Sequence, residues 1–168
     1  MDKKTRQTVH AAMIAALYVV LTHLQNIILP GSATWAIQCR LSETLCVLAF
    51  FTPAAIPGLA AGCFVFNMTY AGALPLDFLV GTLATFLAAG GMWLTRNVTI
   101  MGLPVPGLLM PALTNAFLVG GELTVFIGGG FWLNAVYVAL GESIVLLTFG
   151  VFLYRIIKSQ HLDSRMFG

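Results

Sequence analysis

Ile37-Gln38-Cys39-Arg40-Leu41-Ser42-Glu43 sets a base and an acid three residues apart in a chain that is otherwise almost uniformly oily. If the stretch from Leu41 to Phe51 is helical, Arg40 and Glu43 lie on one face and can meet. What surrounds the pair decides how it is read. The 168 residues are 59% hydrophobic and 8% charged, with a mean hydropathy of +0.93. A soluble domain carries about 25% charged residues, because its surface must face water. The chain therefore reads as an integral membrane protein, and its long apolar runs fit helices rather than the alternation of a barrel. At that depth a charged pair is a candidate functional site, here one wall of a site for a small polar molecule.

Outward from that stretch, proline and glycine cut the chain into six apolar segments. These are about Gln7 to Leu29, Leu41 to Phe51, Ala54 to Tyr70, Pro75 to Arg96, Pro106 to Ile127 and Phe131 to Lys158. The expectation is an all-α membrane protein of six transmembrane helices, residues 1–168 forming one domain. The second segment is too short to span a bilayer upright, so it is expected to pack against protein and line a cavity. Lys3, Lys4 and Arg6 precede the first segment as in a secretory signal. Its apolar run from Val9 to Leu29 is long enough to span, and no small-residue cleavage site follows, so it reads as a retained helix.

An even number of spans puts both ends on one side, and both ends are basic: Lys3, Lys4 and Arg6, then Arg155, Lys158 and Arg165. Arg96 falls on that side too. The positive-inside rule assigns it to the cytoplasm. Arg40, Glu43, Asp77, Glu122 and Glu142 then all lie in the outer half, joined by the amides Gln38, Asn67 and Asn134. Asn115 sits deeper, seven residues before Glu122 and on the same helical face.

Each ionised side chain at mid-membrane costs about 2.5–3.5 kcal/mol, so these groups must face a cavity or one another. One reading is an interhelical network in which Arg40 pairs with Glu43. Four carboxylates against one arginine leave an acid excess that such pairing cannot neutralise, which favours a ligand site. Carboxylates accept from an N–H-rich edge or hold a cation, and the amides suit a heterocycle. Trp35, Trp132 and Tyr137 are rings able to stack on a flat ligand, although such aromatics also form ordinary interfacial belts.

Other signals are weaker. Cys39, Cys46 and Cys63 are an odd, unclustered set that fits small apolar fillers rather than disulfides or a metal site. His10 and His23 read as interfacial residues. Ala11, Ala12, Ala15 and Ala16 give the first helix overlapping small-x-x-x-small patterns, for packing inside the bundle or for docking a partner subunit. The chain has no phosphate-binding loop, no H-E-x-x-H or G-x-S-x-G and no credible nucleophile pair, so neither an enzyme nor a cofactor is expected. A net charge of +2 is too small to argue for nucleic acid. No inverted repeat is visible, which weakens a self-sufficient carrier.

The opening stretch, followed by Phe51-Thr52-Pro53-Ala54-Ala55-Ile56-Pro57-Gly58-Leu59 and then Gly62-Cys63 and Asn67, resembles the QueT family. These are S components of energy-coupling factor transporters, assigned to queuosine precursors. The likeness continues through Leu76-Asp77, Gly81 to Thr85, Pro111, Asn115, Gly121-Glu122 and Leu140-Gly141-Glu142. It implies a six-helix subunit of a prokaryotic plasma membrane that captures a 7-deazaguanine from outside. The subunit would hand it to a module of a transmembrane coupling protein and two ATPases by ATP-driven toppling. The alanine-rich face of the first helix, Ala11, Ala12, Ala15 and Ala16, would dock the coupling protein. Competing readings are an S component for another vitamin or a cation, and a proton-coupled carrier acting alone.

Overall fold

The computed structural model describes residues 2–30, 32 and 39–162. Gln38 and Trp35 lie outside the described residues, as does the C-terminal Arg165. Among the described residues the fold is all helical, with no strand beyond one isolated bridge between Ile100 and Leu103. The elements are α1 (Lys3–Ile28), a 3-10 helix (Leu41–Phe50), α2 (Ala55–Thr69), α3 (Asp77–Leu94), the single turn α4 (Val105–Leu108), α5 (Met110–Phe126), α6 (Phe131–Val145) and α7 (Val151–Ser159). A π turn, Leu146–Gly150, joins α6 to α7.

Four stretches are long and apolar enough to cross a membrane: Lys3–Ile28, Asp77–Leu94, Val105–Phe126 and Phe131–Ser159. The 3-10 helix and α2 are the two shorter apolar helices. Large apolar side chains face outward along the bundle, among them Ile27, Leu94, Val125 and Phe152. In water such a surface would be an aggregation site; in lipid it is the ordinary exterior.

Glycines let the helices close on one another. A side chain at Gly58 would strike the Ala11 carbonyl of α1, and one at Gly62 would strike Tyr18. Further along, His23 meets Thr69 at 3.1 Å, so α1 and α2 run parallel. Gly81 lies against Asn67 and Thr85 against Cys63, while Gly120 lies against Ala135 and Thr124 against Asn134, so α3 opposes α2 and α6 opposes α5. The 3-10 helix runs against α1, with Thr22 bonded to Ser42 and Tyr18 to Glu43. It runs alongside α6 and α7, where Gly150 sits over Val47 and Tyr154 stacks on Phe51. By these directions α1 begins and α7 ends at the same end of the bundle.

The short second segment is helical but wound as ten residues of 3-10 helix, longer than such runs commonly are. A 3-10 helix rises about 2.0 Å per residue instead of about 1.5, so the same residues reach further across the protein. Its three-residue turn also stacks Arg40, Glu43 and Cys46 in one row. Most of its residues are buried at the centre of the bundle, with Val47 and Phe50 in the main apolar core beside Tyr18, Leu59, Phe66 and Met92. A second apolar cluster, Ala84, Val119, Leu123 and Val138, ties α3, α5 and α6 together.

Candidate ligand-binding site

Two groups of polar residues are buried in the bundle, and they differ in how their hydrogen bonds are met. The first is built on α1. Tyr18, Thr22 and Gln25 fall on one stripe by helical spacing, and all three are buried against the 3-10 helix. The Tyr18 hydroxyl donates to Glu43 Oε1 at 2.8 Å, and the Cys46 thiol donates to Glu43 Oε2 at 3.0 Å. Thr22 donates to Ser42 at 2.7 Å. Gln25 accepts from the Leu41 N–H at 2.7 Å and donates to Ser32 and to the Cys39 carbonyl. Glu43 is fully buried, and both its oxygens are engaged. Arg40, also buried, acts electrostatically on Glu43 and Glu142.

The second group is spread over α2, α3, α5 and α6, and its polar atoms lack partners. Both oxygens of Glu142 and of Glu122, the Asn115 Nδ2, the Thr85 hydroxyl and the Asn67 Oδ1 are buried without a hydrogen bond. Asn26 Oδ1 and Thr44 Oγ1 are in the same condition on α1 and the 3-10 helix. Glu142 is 0% exposed, Asn115 2% and Glu122 5%. Native proteins pair nearly all such groups, and those left over signal a missing water, ion or ligand. An orphaned buried donor or acceptor costs about 1–3 kcal/mol, more if charged.

The atoms on α2, α3, α5 and α6 form one neighbourhood. Asn115 and Glu142 adjoin each other, and Glu142 also feels Glu43 and Arg40. Glu122 faces the Asp77 carboxylate and also feels Arg40. Asp77 is held at the start of α3, its carboxylate accepting from the Leu74 N–H at 2.7 Å and its carbonyl accepting from Asn67 at 2.8 Å. Thr85 and Cys63 are neighbours, and Asn67 reaches the Cys63 sulfur at 3.5 Å. Seven residues of α5 separate Asn115 from Glu122, so the cluster has two levels about 10 Å apart along the helix.

Of the residues singled out from sequence, Arg40, Glu43, Asn67, Asp77, Asn115, Glu122 and Glu142 are thus brought together. Three others are placed elsewhere. Asn134 spends its amide on Thr124 and the Gly128 carbonyl, both at 3.0 Å, closing the turn between α5 and α6. Trp132 is 72% exposed against Phe131 and Tyr137 is 36% exposed, so both rings lie on the outer surface and not in the cluster. Of the alanines, Ala11 and Ala15 are half-buried over Gly58 and Gly62, whereas Ala12 and Ala16 are exposed. Tyr18, Thr22, Thr85 and Cys46 were not singled out from sequence. The first two carried a signal, since they continue the stripe that includes Gln25; Thr85 lies in the stretch that carries the family resemblance, and Cys46 reads from sequence only as a filler. Cys46 thus does more than fill space.

A helical bundle with an apolar exterior and a buried set of acids and amides defines a multi-pass membrane protein with a polar interior. The chain matches the QueT transporter family over residues 8–159, and it belongs to that family. It is a transporter-family protein rather than a member of an enzyme family. Neither a curated protein nor a solved structure matches it.

Proposed function

We propose that the protein is the substrate-binding S component of an energy-coupling factor importer and that it takes a 7-deazaguanine, a queuosine precursor, from outside the cell. The observation that carries this reading is the buried, unpartnered set of Glu142, Asn115, Thr85 and Glu122. A deazaguanine offers two adjacent N–H donors beside a carbonyl. Glu142 can accept both donors and Asn115 Nδ2 can donate to the carbonyl, which would meet the orphaned atoms of those two residues. Family membership supports transport, and the basic ends support both termini in the cytoplasm with the site toward the exterior.

Energy would come from a separate module of a coupling protein and two ATPases. Ala12 and Ala16, exposed beside Met13 and Leu17, form the face of α1 left open for it. Two experiments test this. Equilibrium binding of 7-deazaguanine to the purified protein should be lost in Glu142→Gln. Co-purification with the module should be lost in Ala12→Trp and Ala16→Trp while ligand binding survives. Accumulation of substrate by liposomes that hold this protein alone would favour a self-sufficient carrier instead.

A further inference from the structure

At the opposite end of α3 from Asp77, where α7 also finishes, a groove of about 660 Å³ opens between α7 and the loop that joins α3 to α4. One wall is α7, with Tyr154, Arg155, Lys158 and Ser159. Their spacing puts them on one helical face, and Arg155 and Lys158 are both exposed on it. Tyr154 fixes this wall to the bundle: its ring stacks on Phe51 at 5.5 Å and meets Phe50 edge-on at 5.7 Å. The Lys158 ammonium stands 5.5 Å from the centre of the Phe51 ring. The other wall is the tight turn 100–103. Ile100 and Leu103 exchange both backbone hydrogen bonds, at 2.8 and 3.1 Å. Between them Met101 (φ 52) and Gly102 (φ 78) are both left-handed, which is ordinary for glycine and uncommon for methionine. The turn holds the Met101 side chain 99% exposed, with Val98 and Ile100 each 53% exposed beside it. Among the described residues no carboxylate lines the groove. Arg96, in the same loop, lies instead over the Trp93 ring at 3.8 Å and donates to the Trp93 carbonyl.

We propose that this groove binds an anionic phospholipid, with Arg155 and Lys158 on its phosphate and Met101 inserted among the acyl chains. A guanidinium grips two phosphate oxygens at once, and a lysine adds a point charge. Basic pockets between helices at the cytoplasmic face are suited to such headgroups. The turn is what favours a lipid over a soluble phosphate. A free anion would leave Met101, Val98 and Ile100 in water, whereas acyl chains cover them. With both termini in the cytoplasm, as proposed above, the lipid belongs to the inner leaflet. The site is independent of the buried acids and of what they bind.

The test titrates the purified full chain in maltoside micelles with palmitoyl-oleoyl phosphatidylglycerol, and separately with the phosphatidylcholine of the same chains. Native mass spectrometry counts the bound lipid. Phosphatidylglycerol should bind more tightly. Arg155→Gln and Lys158→Gln together should weaken it by about 30-fold, the product of two basic residues acting on an anionic lipid, and leave phosphatidylcholine unchanged. Lys3→Gln with Lys4→Gln removes the same charge from the same end and should keep the affinity within a few-fold. Thermal melts without added lipid verify that each variant is folded. Equal affinity of the parent for the two lipids would overturn the proposal. So would a preference for phosphatidylglycerol that survives in the Arg155 and Lys158 double variant, or one lost as fully in the Lys3 and Lys4 pair. Displacement of phosphatidylglycerol by inorganic phosphate would overturn the lipid assignment in favour of a soluble anion.

Discussion

Two carboxylates near the middle of this bundle are equally buried and have opposite surroundings. Glu43 is held by Tyr18 and Cys46, with Arg40 nearby, and its neighbours Thr22, Ser42 and Gln25 are bonded in turn. Glu142 has no bonded partner for either oxygen, and Asn115 beside it has an idle donor. Burial alone would score them alike. The state of their hydrogen bonds separates a brace, which holds the 3-10 helix to α1, from a group that serves as the ligand's receptor on the function proposed above. The brace stabilises the empty protein; the receptor costs it stability and recovers that cost on binding.

The comparison predicts that stability and affinity respond separately to substitution. The largest effect should come from Glu142→Gln, which replaces an acceptor oxygen by a donor opposite the ligand's N–H edge. Affinity for 7-deazaguanine should fall by about 100-fold or more, while the ligand-free protein melts no lower than the parent. Calorimetry and a thermal melt read the two quantities. On the other side, Tyr18→Phe leaves Glu43 Oε1 buried and unpaired. It should lower stability by about 1–3 kcal/mol in a denaturation series while affinity stays within a few-fold. Thr22→Val removes a single neutral bond to Ser42, and the expected loss is about 1 kcal/mol, again with little change in binding. The smallest change should follow Trp132→Leu. The ring lies on the outer surface, so affinity should not move; a large loss would return Trp132 to the site.

Much of the fold was legible because lipid makes few demands and makes them strictly. Proline and glycine end each segment within a few residues of the helix ends observed, as at Thr52-Pro53 before α2. The acids were legible for the same reason, since an ionised group in an oily run stands out. What sequence could not give was the winding of Leu41–Phe50. Nothing in its composition separates a 3-10 helix from an α-helix, and tertiary packing decides between them. Tyr18 was hidden because a phenol within an apolar helix reads as one more ring. Only its spacing to Thr22 and Gln25 gave it away. Trp132 and Tyr137 are near the acids along the chain, but their rings lie on the outer surface. The buried stripe Asn134, Val138, Gly141, Glu142 and Val145 turns Trp132 away from the interior. The alanines of α1 divide in a way that sequence could not show: Ala11 and Ala15 face α2, and Ala12 and Ala16 face outward.

The division between brace and receptor is tested most directly by ligand-induced stabilisation, compared between Tyr18→Phe and Glu142→Gln. At a ligand concentration about 100 times the parent dissociation constant, binding adds about 2.7 kcal/mol to the parent. Tyr18→Phe should start lower and gain nearly the same increment, and Glu142→Gln should start no lower and gain almost none. The reverse pattern, with the increment kept in Glu142→Gln and lost in Tyr18→Phe, would make Glu43 the ligand's anchor and contradict the account.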